Sequence, residues 1–153
     1  MFNLRFGLIF LLLGFTTRVN AEELALGDFA PSLDEATWPN GKALKSVVPG
    51  NVYVFTFFNS SSDMAKATFT TVSEIASQFQ GNAVVVGVNV DEKDAQFADA
   101  FCKQHAPEMK FDLAVDSPNA NGRGPIAAKW LDGIAFDALP LTFVIDAEGK
   151  VAF

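Results

Sequence analysis

The stretch NVYVFTFFNSSSDMAKATF runs from Asn51 to Phe69 and changes period in its middle. Asn51 to Phe58 is β-branched and aromatic, with apolar residues on both faces. That is the pattern of an interior strand covered by helices on either side. From Ala65 to Phe79 the apolar residues Phe69, Val72, Ile75, Ala76 and Phe79 recur at three- and four-residue spacing, which predicts an amphipathic helix. The junction, Asn59 to Met64, is polar. Ser60-Ser61-Ser62-Asp63 fits the [ST]-x-x-[DE] signature of a helix start. Ser60 or Ser61 is expected to accept an early helix N–H, with Asp63 at the positive end of the helix dipole.

The same alternation continues outward. Leu24 to Leu33 is an opening loop with Gly27, Asp28 and Pro31. Lys42 to Val47 reads as a short strand or hairpin arm. Ala83 to Val90 is a second strand buried on both faces, Asp94 to Gln104 a second helix, and Phe111 to Val115 a short strand. A loop from Ser117 to Pro125 leads to a short helix over Ile126 to Leu131. Leu141 to Ile145 is a further strand, and Asp146 to Lys150 a turn carrying Gly149 before a last strand that begins at Val151. Strands alternating with helices specify βαβ units and a mostly parallel sheet, with an antiparallel hairpin at the end. There are no internal repeats. A sheet of this kind requires cover on both faces, and no helix follows Val151. Either the chain continues beyond Phe153 or one face stays open for a partner.

Length, charge and cysteine usage bound the function. The 153 residues suit one domain, and sixteen phenylalanines supply a core. The formal net charge is −7 with no basic cluster, which argues against nucleic acid and anionic membrane surfaces as partners. Arg5, the apolar run Phe6–Phe15 and Val19-Asn20-Ala21 together read as a signal peptide over residues 1–21. The run is too short to span a bilayer comfortably. Cleavage after Ala21 removes Arg5 and Arg18, takes the charge from −7 to −9, and leaves 132 of the 153 residues. The mature protein is expected to be secreted or periplasmic, with no membrane association after cleavage. Exported proteins favour paired cysteines, yet this chain holds only Cys102. Ala95, Phe97, Ala98, Phe101 and Cys102 lie at the spacing of one helix face, so Cys102 reads as a small buried hydrophobe.

Three segments together resemble the thioredoxin-like proteins of the TlpA and thiol-specific antioxidant (AhpC/TSA) group. They are LGDFAPSL (Leu26–Leu33), the Phe57–Lys66 junction, and LPLTFVIDAEGKVAF (Leu139–Phe153). The resemblance covers nearly all of residues 22–153. It implies a three-layer α/β/α fold with a central mixed sheet, here without its last helix. In that family an aromatic pair closes the first strand and a Cys-x-x-Cys pair follows three residues later. Laid on this chain, Phe57 and Phe58 take the aromatic pair, Ser62 the attacking cysteine, and Ala65 the resolving cysteine. Leu139-Pro140 takes the place of the family's cis-proline. The resemblance further implies a binding groove formed by Phe58, Ser60, Ser61, Ser62, Asp63, Met64, Leu139 and Pro140. There the Leu139 backbone would pair with an extended ligand as an added strand does.

The chemistry of such a family needs a thiolate held at a helix N-terminus, with a second cysteine to resolve the mixed disulfide. A serine hydroxyl forms no disulfide, and its activation takes an adjacent base. The only histidine, His105, lies near the end of the second helix by pattern, with no route to Ser62. No catalytic residue and no cofactor are expected. Two functions remain. One is a redox-inactive module that binds a protein or extended peptide. The other is a thiol oxidoreductase or peroxidase working through Cys102 or a partner's thiol, and the missing Cys-x-x-Cys favours the first. Other motifs have plain readings. Asn59-Ser60-Ser61 is a glycosylation sequon. Asp91, Glu92 and Asp94 form a solvated loop and helix cap rather than a metal site. Gly122-Arg123-Gly124-Pro125 lacks the spacing of a P-loop, and Trp38 and Trp130 are packing residues.

Overall fold

The computed structural model describes residues 23–90, 95–117, 123–134 and 138–153. The expected signal peptide, the acidic residues Asp91, Glu92 and Asp94, and Gly122 lie outside the described residues. Five strands are present among them: β1 (Thr37–Asn40), β2 (Val52–Phe58), β3 (Ala83–Asn89), β4 (Asp112–Val115) and β5 (Leu141–Ile145). Three α-helices accompany them: α1 (Ala65–Gln78), α2 (Ala95–His105) and α3 (Pro125–Trp130). A 3₁₀ turn, Ala106–Glu108, follows α2. The strands form one sheet in the order β1-β4-β3-β2-β5. β2, β3 and β4 run parallel, and β1 and β5 close the two edges antiparallel. The fold is the thioredoxin-like mixed sheet with helices that the sequence implies.

Each face of the sheet carries its own core. On one side Phe55, Phe57, Val86, Val88, Phe143 and Ile145 meet α3, whose Trp130 is fully buried. The Trp130 ring lies 5.1 Å from Phe55, 5.3 Å from Phe57 and 5.6 Å from Phe143. On the other side Phe58, Val85 and Leu113 pack with Phe69 and Val72 of α1 and Cys102 of α2. Gly87 interrupts the apolar run of β3 because a Cβ there would come within 2.6 Å of the Phe111 ring. Trp38 packs half-buried against the first core, as expected of a packing residue.

The sequence reading is corrected at several points. Lys42 to Val47 forms no strand, and the edge strand lies earlier, at Thr37–Asn40. Pro39 hides it from pattern, since proline donates nothing to a ladder and belongs only on edges. The register shifts between Thr37 and Asn40. The Asn40 side chain supplies the bonds there, accepting from the Leu113 N–H at 2.8 Å and donating to the Phe111 carbonyl at 3.4 Å. On α2, Ala98 and Cys102 are buried as expected. Phe97 is 47 % exposed and stacks on Phe101 instead of entering the core. The last strand is reduced to a bridge between Ile145 and Val151 and backbone bonds from Val144 to Ala152 and Phe153. The turn before it is held by the Asp146 carboxylate, which accepts from the Glu148 and Lys150 N–H groups, and by Gly149 at φ +83°.

α3 is tied at both ends. The buried Asp116 carboxylate accepts from the Ile126 and Ala127 N–H groups at 3.1 and 2.8 Å, so a side chain from beyond the helix caps it. The Lys129 ammonium donates to Glu35, and Asp34 stands 3.5 Å away. The Glu35 hydrogen bond raises the Lys129 pKa. The Ser32 hydroxyl, and after it Lys129, lowers that of Asp34.

Replacing Trp130 by alanine is expected to cost about 3–5 kcal/mol, the usual price of emptying a buried aromatic site. A urea melt monitored by far-UV circular dichroism measures it. A loss below about 1 kcal/mol would mean that α3 does not anchor this core.

Candidate functional site

β2 delivers the polar junction to one end of the sheet. Past Phe58 the chain does not enter α1 directly but passes through turns over Ser60–Met64. A buried amide and hydroxyl network fixes these turns. Asn59 Nδ2 donates to the Val90 carbonyl at 3.0 Å, and its Oδ1 accepts from the Ser61 N–H at 2.9 Å. The Ser60 N–H donates to Asn89 Oδ1 at 3.1 Å, and Asn89 Nδ2 donates to Ser60 Oγ at 3.2 Å. Asn59, Ser60 and Asn89 are all nearly inaccessible, at 2 %, 4 % and 0 % exposure. Among the described residues no buried side-chain polar atom lacks a partner, so the network is complete and confers rigidity. Asn89 was not singled out from sequence. Its only signal there is a polar residue closing an otherwise apolar strand.

This network changes the expected helix start. Neither Ser60 nor Ser61 caps α1. The residue preceding the helix is Met64, which makes no side-chain cap, and the first turn contains no acidic residue. Ser60 is turned inward toward Asn89, and Asp63 falls before the helix. The serine that does bond locally is Ser62, whose Oγ accepts from the Met64 N–H at 3.2 Å and whose carbonyl accepts from the Ala65 N–H at 3.0 Å.

The residues expected to line a groove therefore divide. Phe58 and Ser60 are buried, Phe58 with its ring 4.9 Å from Phe69, and they cannot line an open surface. Ser61, Asp63 and Met64 are exposed, and Ser62 is half-buried. Ala65, at the second thiol position, is 2 % exposed. The Leu139–Pro140 bond is cis. Pro140 and Met64 line one cavity of about 170 Å³ between α1 and β5. The structure thus brings the start of α1 and Pro140 together, with Leu139 half-buried against the first core.

The remaining candidates stand apart. Cys102 forms no disulfide and lies at 0 % exposure inside the second core. His105 packs its ring 4.6 Å from Phe101 and 5.7 Å from Phe69, and Nδ1 lies 3.7 Å from Glu108 Oε2. It borders a separate cavity of about 600 Å³ on another flank of α1, with Lys66, Ser73 and Lys110. No hydrogen bond links it to Ser62. Arg123 donates to the carbonyls of Leu131 and Ile134, which is a structural duty. Among the described residues there is no cluster of metal-ligating side chains, and no helix long and apolar enough to cross a membrane.

A family profile named AhpC/TSA matches residues 26–153. The chain belongs to the AhpC/TSA family. Among curated relatives it is similar to Protein FixW of Rhizobium leguminosarum, with 27 % identity over 140 residues, covering 87 % of this chain and 61 % of FixW. The chain thus spans about three-fifths of the length of that relative. Among solved structures it is similar to a thioredoxin-like superfamily protein, at 20 % identity, TM-score 0.64 and 83 % coverage of each chain. It is also similar to a thiol-disulfide isomerase from Corynebacterium glutamicum, at 19 % identity and TM-score 0.60, covering 86 % of this chain and 83 % of that one. At these identities the structural matches establish the fold. The AhpC/TSA membership is carried here by a chain with serine and alanine at the two positions where the family resemblance places thiols.

Two expectations follow from the geometry. The Ser62→Cys, Ala65→Cys double variant is expected to form a disulfide that dithiothreitol reduces, because the two positions are one helical turn apart and joined by the Ala65 N–H bond. Thiol titration before and after reduction reports it, and two persistent free thiols in the folded variant would show that the alignment is shifted. Asn59, although in a sequon, is expected to carry no glycan in the folded protein, since its amide is buried and donates to Val90. Expression in a glycosylating secretory host, followed by intact mass with and without glycosidase, checks this. A folded product with full occupancy at Asn59 would contradict the network.

Proposed function

We propose that this chain is an exported thioredoxin-like domain that binds a protein or extended peptide segment and performs no thiol–disulfide exchange. One observation carries the reading. Ser62 and Ala65 stand where dithiol exchange requires cysteines, and the only cysteine, Cys102, is buried in the second core. Exchange proceeds by thiolate attack and needs an accessible, anionic sulfur. Among the described residues the Ser62 hydroxyl is hydrogen-bonded to the Met64 N–H and to no side-chain base. What the family scaffold retains is the binding half of the machinery. The turns over Ser60–Met64 are held rigid by buried hydrogen bonds, and Pro140 stands across a cavity from Met64. A rigid site binds without an ordering cost, and a partner strand laid along Leu139 would gain main-chain hydrogen bonds. The alternative, an oxidoreductase or peroxidase acting through Cys102, requires the second core to open around that thiol.

The test is insulin reduction by dithiothreitol with and without the purified chain. The expected result is no acceleration over the uncatalysed rate. A clear acceleration that disappears in Cys102→Ser would overturn the inactive reading and establish the thiol enzyme.

A further inference from the structure

Edge strand β1 ends on Asn40, and Asn40 is followed by Gly41. An asparagine amide is open to attack by the backbone nitrogen of the residue after it, and glycine, having no Cβ, obstructs that attack least. The fold requires both residues of this pair. The half-buried Asn40 side chain replaces main-chain ladder bonds where the register between β1 and β4 shifts. Its Oδ1 accepts from the Leu113 N–H at 2.8 Å, and its Nδ2 donates to the Phe111 carbonyl at 3.4 Å and to the Met109 sulfur at 3.7 Å. Gly41 has φ +76°, and a Cβ on it would collide with the Asp112 carboxylate. A chemically labile pair is thus built into the sheet edge.

The same bonds decide when the pair can react. Attack needs Asn40 Cγ to swing over the Gly41 nitrogen, and a side chain tied to Leu113 and Phe111 cannot make that swing. β1 is short, contains Pro39 and stands at the end of the sheet beside β4. It therefore belongs to the part of the molecule that opens at a low free-energy cost.

We propose that Asn40-Gly41 is a site of spontaneous deamidation gated by β1. It is protected while the strand is docked, reactive when the strand lifts from β4, and unable to restore the edge once changed. The Gly41 nitrogen bonds to Asn40 Cγ and gives its proton to water. The Cγ–Nδ2 bond breaks and ammonia leaves, which closes a cyclic imide. Water then opens the imide at either carbonyl, giving aspartate or its β-linked isomer. The sum is amide plus water to carboxylic acid plus ammonia, with nothing oxidised or reduced. The product carboxylate accepts hydrogen bonds and donates none. It sets an oxygen against the Phe111 carbonyl where an N–H had been, beside the Asp112 carboxylate that packs on Gly41. Release of β1 then leaves the Asp112–Val115 edge with unpaired main-chain groups, a template for pairing with another chain.

The test has three arms. In the first, the chain is incubated folded and in urea in a mildly alkaline buffer, and peptides are mapped by mass spectrometry. Asn40 is read apart from Asn121-Gly122, the other pair of this kind in the sequence. Conversion at Asn40 is expected to be more than about tenfold slower in the folded chain, because a reaction of an opened state follows the fraction open. Equal rates would overturn the gate, and no conversion in urea would overturn the labile pair. The second arm loosens β1 without touching the pair. Thr37→Gly removes the hydroxyl that donates to the Val115 carbonyl, and Trp38→Ala removes the ring packed against the first core. In each variant whose circular dichroism matches the parent, the folded-state rate at Asn40 is expected to rise toward the urea rate. Parent-like rates would overturn control by β1. In the third arm Asn40→Asp places the product in the strand, and amide hydrogen exchange reads the edge. Leu113 is expected to exchange about tenfold or more faster than in the parent, with the β2 amides unchanged. Unchanged exchange at Leu113 would overturn the loss of the edge.

Discussion

Strand β2 is the constraint on which the rest depends. It is bonded on both edges, to β3 in parallel and to β5 antiparallel. It is also packed on both faces, with Phe55 and Phe57 toward Trp130 and Phe58 toward Phe69. A strand held from four directions tolerates no slip, because a one-residue shift would exchange its two faces. Its end is therefore a fixed point, and whatever follows Phe58 is delivered to one place. The start of α1 inherits that precision.

The serines at this point serve the fold. A strand-to-helix junction leaves several N–H groups to be satisfied. Here the Asn59 and Asn89 side chains satisfy the Ser60 and Ser61 N–H groups and the Val90 carbonyl from within the protein, and the Ser60 hydroxyl accepts from Asn89. An unpaired buried donor would cost about 1–3 kcal/mol, so a completed network is a strong reason for these residue types. The arrangement needs no sulfur. The support of this junction comes from the buried side-chain amides of Asn59 and Asn89.

α1 then separates two environments. One flank meets α2 and the Ala106–Glu108 turn and is charged. The other meets β5 and Pro140 and is uncharged. β5 lies at the sheet edge, where Thr142 and Val144 remain half-buried on the side shared with α1. The uncharged lining of this cavity is thus assembled from a helix face and an edge strand some seventy residues apart in sequence, with neither sufficient alone.

How much of this was legible in the sequence differs by level. Periodicity was enough for β2, α1, β3, α2 and β5, because each presents its apolar residues at a period that matches what it packs against. The resemblance of three short segments added the mixed sheet and the place of Pro140. Where a residue's role depends on a neighbour distant in sequence, the one-dimensional pattern was insufficient. Ser60 looked like a cap because its local spacing fits one, but Asn89 draws it inward from another strand. Phe58 looked like a groove residue because it borders the junction, but Phe69 covers it. Thr37–Asn40 drew no assignment, since its proline breaks the strand pattern, but Asn40 supplies side-chain bonds at that edge. The sequence by itself determined the strands and helices whose apolar period matches their packing, and that no Cys-x-x-Cys pair exists. Only the tertiary structure decided which polar residues face inward, since hydrogen-bond partners and burial are properties of neighbours in space.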